Sequence, residues 1–374
     1  MDKLEIPSAI NNSLSCKNCG ALLHFAPGTH ELKCDYCGES NIIEKDDEQQ
    51  IISYDYDEYV ASISTGKHTG HLKVVKCNGC GSQSLLDEFV TADTCAFCTA
   101  PLVLDIAAGQ EYVTPHYVLP FHVTEKEAID LFKKWIRSLW WSPNDLKKKL
   151  VQSNARLKGI YIPHWAYDAD TVTRYTGERG DYYYTTETYT ETVNGKTETR
   201  TRQVRHTRWS YASGTVYCTF KDETIPASRS LPEKTLVDLG PWNFGMLVKF
   251  DERYMSGFRS ETYQVTPQEG FIKMTEAIHP RILDAVRDDI GGDEQRVDST
   301  DSKYNNKGIK YTMLPVWMSA YKYKEKIFQF KINASTGEVI GERPLSIIKI
   351  VLAILLAVAL IVGGIFLYNS QQQA

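Results

Sequence analysis

The chain has 374 residues, 42% of them hydrophobic, and a formal net charge of −5. That is long and apolar enough for two or three packed domains, which excludes a wholly disordered chain. The slight acidity argues against a general binder of polyanions.

The N-terminus, Met1-Asp2-Lys3-Leu4-Glu5-Ile6-Pro7, lacks the apolar core of a signal peptide. Eight of the nine cysteines then fall in four Cys-x2-Cys pairs. Cys16, Cys19, Cys34 and Cys37 make the first set, and Cys77, Cys80, Cys95 and Cys98 the second. Fourteen residues separate the inner cysteines of each set, and the sets lie 61 residues apart, so the spacing is an internal repeat. Two thiolates in such a pair reach one metal from a tight turn, which a following glycine eases. Gly20, Gly38 and Gly81 hold that place, and Thr99 departs from it. Four thiolates at about 2.3 Å make a closed tetrahedral zinc site.

Two zinc ribbons are therefore expected, over 12–42 and 73–104, each with one structural zinc ion. Leu22-Leu23-His24-Phe25 and Leu85-Leu86-Asp87-Glu88-Phe89 read as their short strands. Rubredoxin-type iron would use the same ligands. Cytosolic disulfides are disfavoured, and redox catalysis would need all four pairs to stay uncommitted. Cys218 stands alone and reads as a small buried hydrophobe.

Residues 43–72 read as an acidic linker, since Glu39 to Glu58 contains eight acidic residues and only Lys45. The second ribbon places Asp87, Glu88 and Asp93 between its knuckles and no basic residue. The first sets Lys17 and Lys33 against Glu31 and Asp35. Phosphate-binding modules present a basic face, so both ribbons read as structural or protein-contacting units.

Residues 111–342 read as a duplicated α+β domain, with halves near 111–220 and 235–342. The first half offers Leu119-Pro120-Phe121-His122-Val123-Thr124. Thr124 and Glu127 form a capping box, and Ala128, Ile129, Phe132, Trp135, Ile136 and Leu139 follow at helical spacing. A strand-like Ile160-Tyr161-Ile162-Pro163-His164-Trp165-Ala166-Tyr167 comes next. The second half repeats the order. Tyr263-Gln264-Val265-Thr266 leads to a helix with Pro267 at its first position and Glu269 completing the box. Phe271, Met274, Ile278, Ile282 and Val286 supply its stripe, and Met313 to Tyr321 the strand, with Pro315-Val316-Trp317 matching Pro163-His164-Trp165.

Between the halves Asn194-Gly195 predicts a type I′ hairpin. That register sets Glu187 opposite Arg202, Tyr189 opposite Arg200, Thr188 opposite Thr201 and Thr190 opposite Thr199. Glu191 then faces Glu198, a repulsion that Arg200 can relieve. Neither face is apolar near the tip, so the tip should project.

Two stretches invite a nucleic-acid reading. Lys133 to Lys158 holds eight basic residues and one acid, with Trp135, Trp140 and Trp141 interleaved. Arg200, Arg202, Arg205 and Arg208 line the return strand of the hairpin. Such sets bind phosphates and stack bases, but basic residues with tryptophan equally suit an anionic membrane surface. Gly195-Lys196-Thr197 resembles the end of a P-loop, yet Thr190 stands where its first glycine belongs, and a hairpin is the wrong context. His164, Asp168, Asp170, Asp293 and Glu294 could furnish acid–base pairs, but nothing in the sequence fixes their geometry. No catalytic residue is assigned.

From Ile350 to Leu367 the chain runs eighteen residues without a charged or strongly polar side chain. At about 1.5 Å per residue that is roughly 27 Å of helix, close to the hydrocarbon thickness of a bilayer. A transmembrane helix is expected over 347–368. Only Asn369 to Ala374 follow, so insertion should be post-translational, as in a tail anchor. Arg343 and Lys349 flank the span on its N-terminal side, and the positive-inside rule then keeps the bulk of the chain cytosolic.

Several motifs carry a wider resemblance. They are the paired knuckles, Tyr161 to Thr171, Tyr175-Thr176-Gly177-Glu178-Arg179-Gly180, Gly291-Gly292-Asp293-Glu294-Gln295, Leu314-Pro315-Val316-Trp317 and Thr336 to Pro344. On these, residues 12 to 368 resemble a family of bacterial TFIIB-type zinc-ribbon membrane proteins, some of which are labelled primosomal replication-factor-Y or helicase-like proteins. The resemblance implies a membrane-anchored partner of SPFH-domain (flotillin-like) and phage-shock-type proteins, serving envelope maintenance, with no catalytic residues to carry over. The expectation is a non-enzymatic adaptor that recruits a cytosolic protein to the membrane. A membrane-attached nucleic-acid binder is the alternative.

Overall fold

The computed structural model describes residues 14–21, 23–44, 50–64, 69–72, 74–76, 83–85, 92–94, 101–103, 110–143, 145, 157–193, 196–323 and 326–372. Its principal elements are strands β1 (Leu23–Phe25), β2 (Glu31–Cys34) and β3 (Ser40–Ile42), helix α1 (Tyr56–Ser64), strand β4 (Tyr117–Val118) and helix α2 (Glu125–Ser138). They continue with β5 (Lys158–Val193), β6 (Lys196–Pro226), β7 (Arg259–Glu261), α3 (Pro267–Ile290), β8 (Glu294–Tyr323), β9 (Lys326–Asn333), β10 (Val339–Gly341) and α4 (Ile347–Gln372). Helices and strands are thus mixed, as an α+β reading requires.

Two very long strands organise the body. β5 and β8 pair antiparallel from Lys158 opposite Met318 to Gly180 opposite Glu294. β6 lines the other edge of β5, and β9 lines β8, followed by β10. Two short strands join in parallel, β4 on β8 and β7 on β5. Ile160 to Tyr167 and Ile309 to Met318 are buried without a break. A strand covered on both faces needs such an unalternating run. Farther out the strands expose polar residues, and β5 and β6 continue past the end of β8 as a two-stranded arm.

The arm keeps the register expected from its sequence. Glu187 faces Arg202, Thr188 faces Thr201, Tyr189 faces Arg200, and Glu191 faces Glu198. Val193 opposite Lys196 leaves the two-residue connection that Asn-Gly favours, although 194 and 195 lie outside the described residues.

Both capping boxes are present. The Glu127 and Glu269 amides donate to the Thr124 and Thr266 hydroxyls, and the Thr124 and Thr266 amides donate back to the two carboxylates, at 2.8 and 3.1 Å. α2 buries Ala128, Phe132 and Ile136, with Phe132 stacked on Phe330 at 3.7 Å. α3 buries Met274, Ile278, Ile282, Val286 and Ile290. It runs through Pro280 and ends at Gly291, whose φ of 64° suits glycine.

One set of hydrogen bonds occurs twice. The Trp165 indole donates to Val265 O, just before the Thr266 cap, and the Trp317 indole donates to Val123 O, just before the Thr124 cap, both at 2.8 Å. The Gln264 and Val265 amides donate to Ala227 O, and the His122 and Val123 amides to Ala334 O. The Ala227 amide donates to Pro163 O, and the Ala334 amide to Pro315 O. Each helix start is therefore held by the Pro-x-Trp strand of the opposite half.

The span 43–72, read as an acidic linker, is more than a connection. Tyr54 and Asp55 pair with Ile309 and Gly308, and α1 follows with Tyr56 and Tyr59 buried. Two aromatics on one face of a nine-residue helix are what seat it against Phe271 and Trp165. α4 behaves oppositely. No residue from Ile347 to Ile365 is buried, and this helix is long and apolar enough to cross a membrane.

Candidate metal centre

β1, β2 and β3 form a three-stranded sheet in the order of the chain. Leu23, Phe25 and Leu32 turn inward from it, with Ile43 just beyond β3. Two knuckles of the same design close its end. The Gly20 amide donates to Cys16 O and the Gly38 amide to Cys34 O. The Cys16 and Cys34 amides donate to Ala21 O and Glu39 O. Gly20 and Gly38 have φ of 73° and 75° with open space around the missing Cβ, so backbone conformation alone selects glycine there.

The knuckles bring all four sulfurs within 4.8 Å of one another. Cys16 Sγ lies 3.5 Å from Cys37 Sγ, and Cys19 Sγ lies 3.5 Å from Cys34 Sγ. A disulfide needs about 2.05 Å, and these cysteines are free. Ligands at about 2.3 Å from one centre stand roughly 3.8 Å apart in a tetrahedron, so the set fits a single thiophilic ion. Cys16 and Cys34 are buried, whereas Cys19 and Cys37 face solvent.

Electrostatics point the same way. The Cys37 and Tyr36 amides draw the Cys34 thiol down to about 7. The Ala21 amide favours a Cys19 thiolate, but the Cys34 sulfur, partial desolvation and the other two sulfurs overcome it and push Cys19 up to about 12. Four thiolates this close need a cation to ionise together.

The first ribbon is docked on the body. The Phe25 amide donates to Ser256 O at 3.0 Å, and the Ser256 hydroxyl donates to Leu23 O at 2.5 Å. Phe25 packs edge-on to Tyr254 at 5.2 Å, and the Gly28 amide donates to Phe121 O. Gly257 has a φ of 86°, and a Cβ there would meet the His24 ring at 3.2 Å. Elsewhere on the ribbon Tyr36 is 86% and Ile42 71% exposed. Periodicity gave no sign of this docking, because Tyr254, Ser256 and Phe258 lie in an irregular segment. The second cysteine set, Cys77, Cys80, Cys95 and Cys98, lies outside the described residues. Its flanking strand Gln83–Leu85 pairs with β7, which ties that region to the main sheet.

The other residues singled out in the sequence do not converge on one site. Asp168 accepts from Ser53, from the Asp222 amide at 2.8 Å and from Lys310 at 3.1 Å. Burial opposes its charge, but these partners outweigh burial and hold its carboxyl below the ordinary value. Asp170 accepts from Asn306 and Thr219, both at 2.7 Å, which likewise lowers it. Asp222 and Asn306 have φ of 55° and 46°, so both aspartates fasten irregular places in the long strands. Asp293 and Glu294 accept from the Tyr182 amide and hydroxyl. Cys218 is half-buried against the core.

Three of the arm's four arginines are engaged. Arg200 bridges Glu191 and Glu198, Arg202 pairs with Glu187, and Arg205 lies over the Tyr182 ring at 4.2 Å.

His164 is fully buried. Its Nδ1 lies 3.0 Å from Ile162 O, and Nε2 has no hydrogen-bond partner among the described residues. Burial lowers it from 6.5 to about 4, against the pull of the Ile162 carbonyl. Below pH 6.5 the unfolded chain takes up a proton here that the folded chain refuses until about pH 4. Stability is therefore lost as pH falls through that window, by roughly 3 kcal/mol at about 1.4 kcal/mol per unit. Melting of the detergent-solubilised protein between pH 7 and 4 checks this. His164→Asn should flatten the decline, and an unchanged slope would remove His164 as its source.

No family model matches the chain, and no solved structure matches it. It is similar to a protein of Bacillus subtilis (strain 168) described as "Uncharacterized protein YdjG", with 26% identity over 347 residues. The alignment covers 89% of this chain and 90% of that protein.

Proposed function

We propose that this chain is a membrane-anchored zinc-ribbon adaptor that brings a cytosolic protein to the bilayer. The observation that carries this reading is the pairing, in one chain, of a wholly unburied apolar helix with a docked ribbon that exposes Tyr36 and Ile42. The helix serves as a single-pass anchor with the body on the cytosolic side. The first ribbon holds a structural zinc ion, because a site of given donors binds divalent zinc more tightly than divalent iron. The second set, Cys77, Cys80, Cys95 and Cys98, holds another by the same spacing.

The recurrent hydrogen bonds of Trp165 and Trp317 support an ancestral duplication of the α+β unit. The partner is of the SPFH-domain or phage-shock type, as the resemblance to TFIIB-type zinc-ribbon membrane proteins suggests, and the role lies in envelope maintenance. No enzymatic step is assigned. The alternative, nucleic-acid binding, loses much of its motive because Arg200, Arg202 and Arg205 already have partners on the arm.

Affinity purification of the full chain from solubilised membranes tests the adaptor. A discrete protein should co-purify and be lost from the Tyr36→Ala/Ile42→Ser variant while metal content stays unchanged. The same proteins on the variant, or recovery of nucleic acid in their place, would reject it.

A further inference from the structure

Seven tryptophans occur in the chain, and five of them are buried or half-buried. The two exposed ones, Trp140 at 73% and Trp141 at 38%, are adjacent and follow the end of α2. Both are fastened to the foot of α4. The Ser346 amide donates to Trp141 O at 2.7 Å. Lys349 Nζ donates to Trp140 O at 2.9 Å and to Ser142 O at 2.8 Å, and lies 5.9 Å from the centre of the Trp140 ring. Lys349 is also the last charged residue before the apolar run. Around it Leu345, Ile347 and Ile348 are exposed as well.

These contacts fix a level. Residues 346 and 349 span less than one helical turn, so the tryptophan pair sits within about 5 Å, along the helix axis, of the point where the chain becomes wholly apolar. Tryptophan prefers that depth in a bilayer, its ring among the acyl carbonyls and its indole N–H toward headgroups. Lysine at the same level keeps its ammonium among phosphates. We propose that Trp140, Trp141 and Lys349 form a lipid-contacting collar that seats the body on the headgroups of the bilayer its own anchor enters. This rests on the reading of α4 as a membrane span. Because the collar is bonded to the anchor through main-chain carbonyls, it holds the body at a set orientation. The ribbon is thereby presented at a fixed attitude rather than on a slack tether.

The full chain, one copy per phospholipid nanodisc, tests this by tryptophan quenching with acyl chains brominated either near the ester or near the methyl end. Ester-proximal bromine should quench more strongly than methyl-proximal bromine. Trp140→Phe/Trp141→Phe should abolish most of that quenching, and Trp209→Phe should leave it in place. Equal quenching in the double variant and the parent, or none from the ester-proximal lipid, would overturn the collar. Carbonate washing of vesicles bearing the parent chain separates the two readings. A chain retained on the vesicles but unquenched overturns the collar alone, whereas a chain washed off overturns the anchor beneath it.

Discussion

Serine in place of Cys34 is expected to remove one metal ion per chain and to release the first ribbon from the body. Cys34 is the most constrained of the four ligands, being buried at the end of β2 and receiving the Cys37 and Tyr36 amides. The apolar support behind it is slight, namely Leu23, Phe25, Leu32 and Ile43. Each such side chain contributes about 1.5–3 kcal/mol when buried, whereas a structural zinc ion contributes about 10–16 kcal/mol to small domains of this kind. The metal term exceeds any single packing term several-fold, so losing a ligand should melt 14–44 rather than loosen it. The docking seam at Tyr254, Ser256 and Phe258 should open with it, since Ser256 bonds to β1 through both its hydroxyl and its carbonyl. Metal analysis of the purified chain and hydrogen exchange over both segments check the outcome. Cys218→Ser is the control and should keep full metal content. Unchanged protection of β1 and β2 in the Cys34 variant would mean that packing alone holds the ribbon.

What the sequence made legible is what short-range chemistry dictates. The first ribbon's two knuckles, both capping boxes and the register of the arm each depend on residues close in sequence, and each is present where expected. The stripe of α3 was legible as far as Val286, and the helix continues one turn further to Ile290. What stayed hidden depends on partners far along the chain. Nothing near Trp165 indicates that its indole will bond Val265, a hundred residues on. Parallel pairing of β4 with β8 joins segments nearly two hundred residues apart. The acidic stretch before α1 masked Tyr56 and Tyr59, because charge was conspicuous and the aromatic pair was short. Trp140 and Trp141 were grouped with their basic neighbours, and only the fold brings them to the foot of α4. The clustered thiols of the first ribbon and the membrane-length helix were thus readable locally, and the contacts that join the body to α4 were not.

Ending the chain after Pro344 is expected to turn the protein from one retained on carbonate-washed membranes into one recovered in the supernatant. A graded version of the experiment is more informative. Between Ile350 and Leu367 thirteen residues are Ile, Leu, Val or Phe. At about 0.3–0.6 kcal/mol each in favour of insertion they supply roughly 4–8 kcal/mol. One arginine near the helix centre costs about 2.5–3.5 kcal/mol on the same scale. Leu356→Arg alone should therefore leave the chain largely inserted. Leu356→Arg combined with Leu360→Arg costs about 5–7 kcal/mol, enough to cancel the whole gain. Retention should fall slightly for the first and steeply for the second, because the cost accumulates within one apolar run that no protein surface shields. If the double variant and the truncated chain both stayed on the membrane as firmly as the parent, the body itself would be the membrane-binding element. α4 would then need a different occupant for its exposed apolar surface.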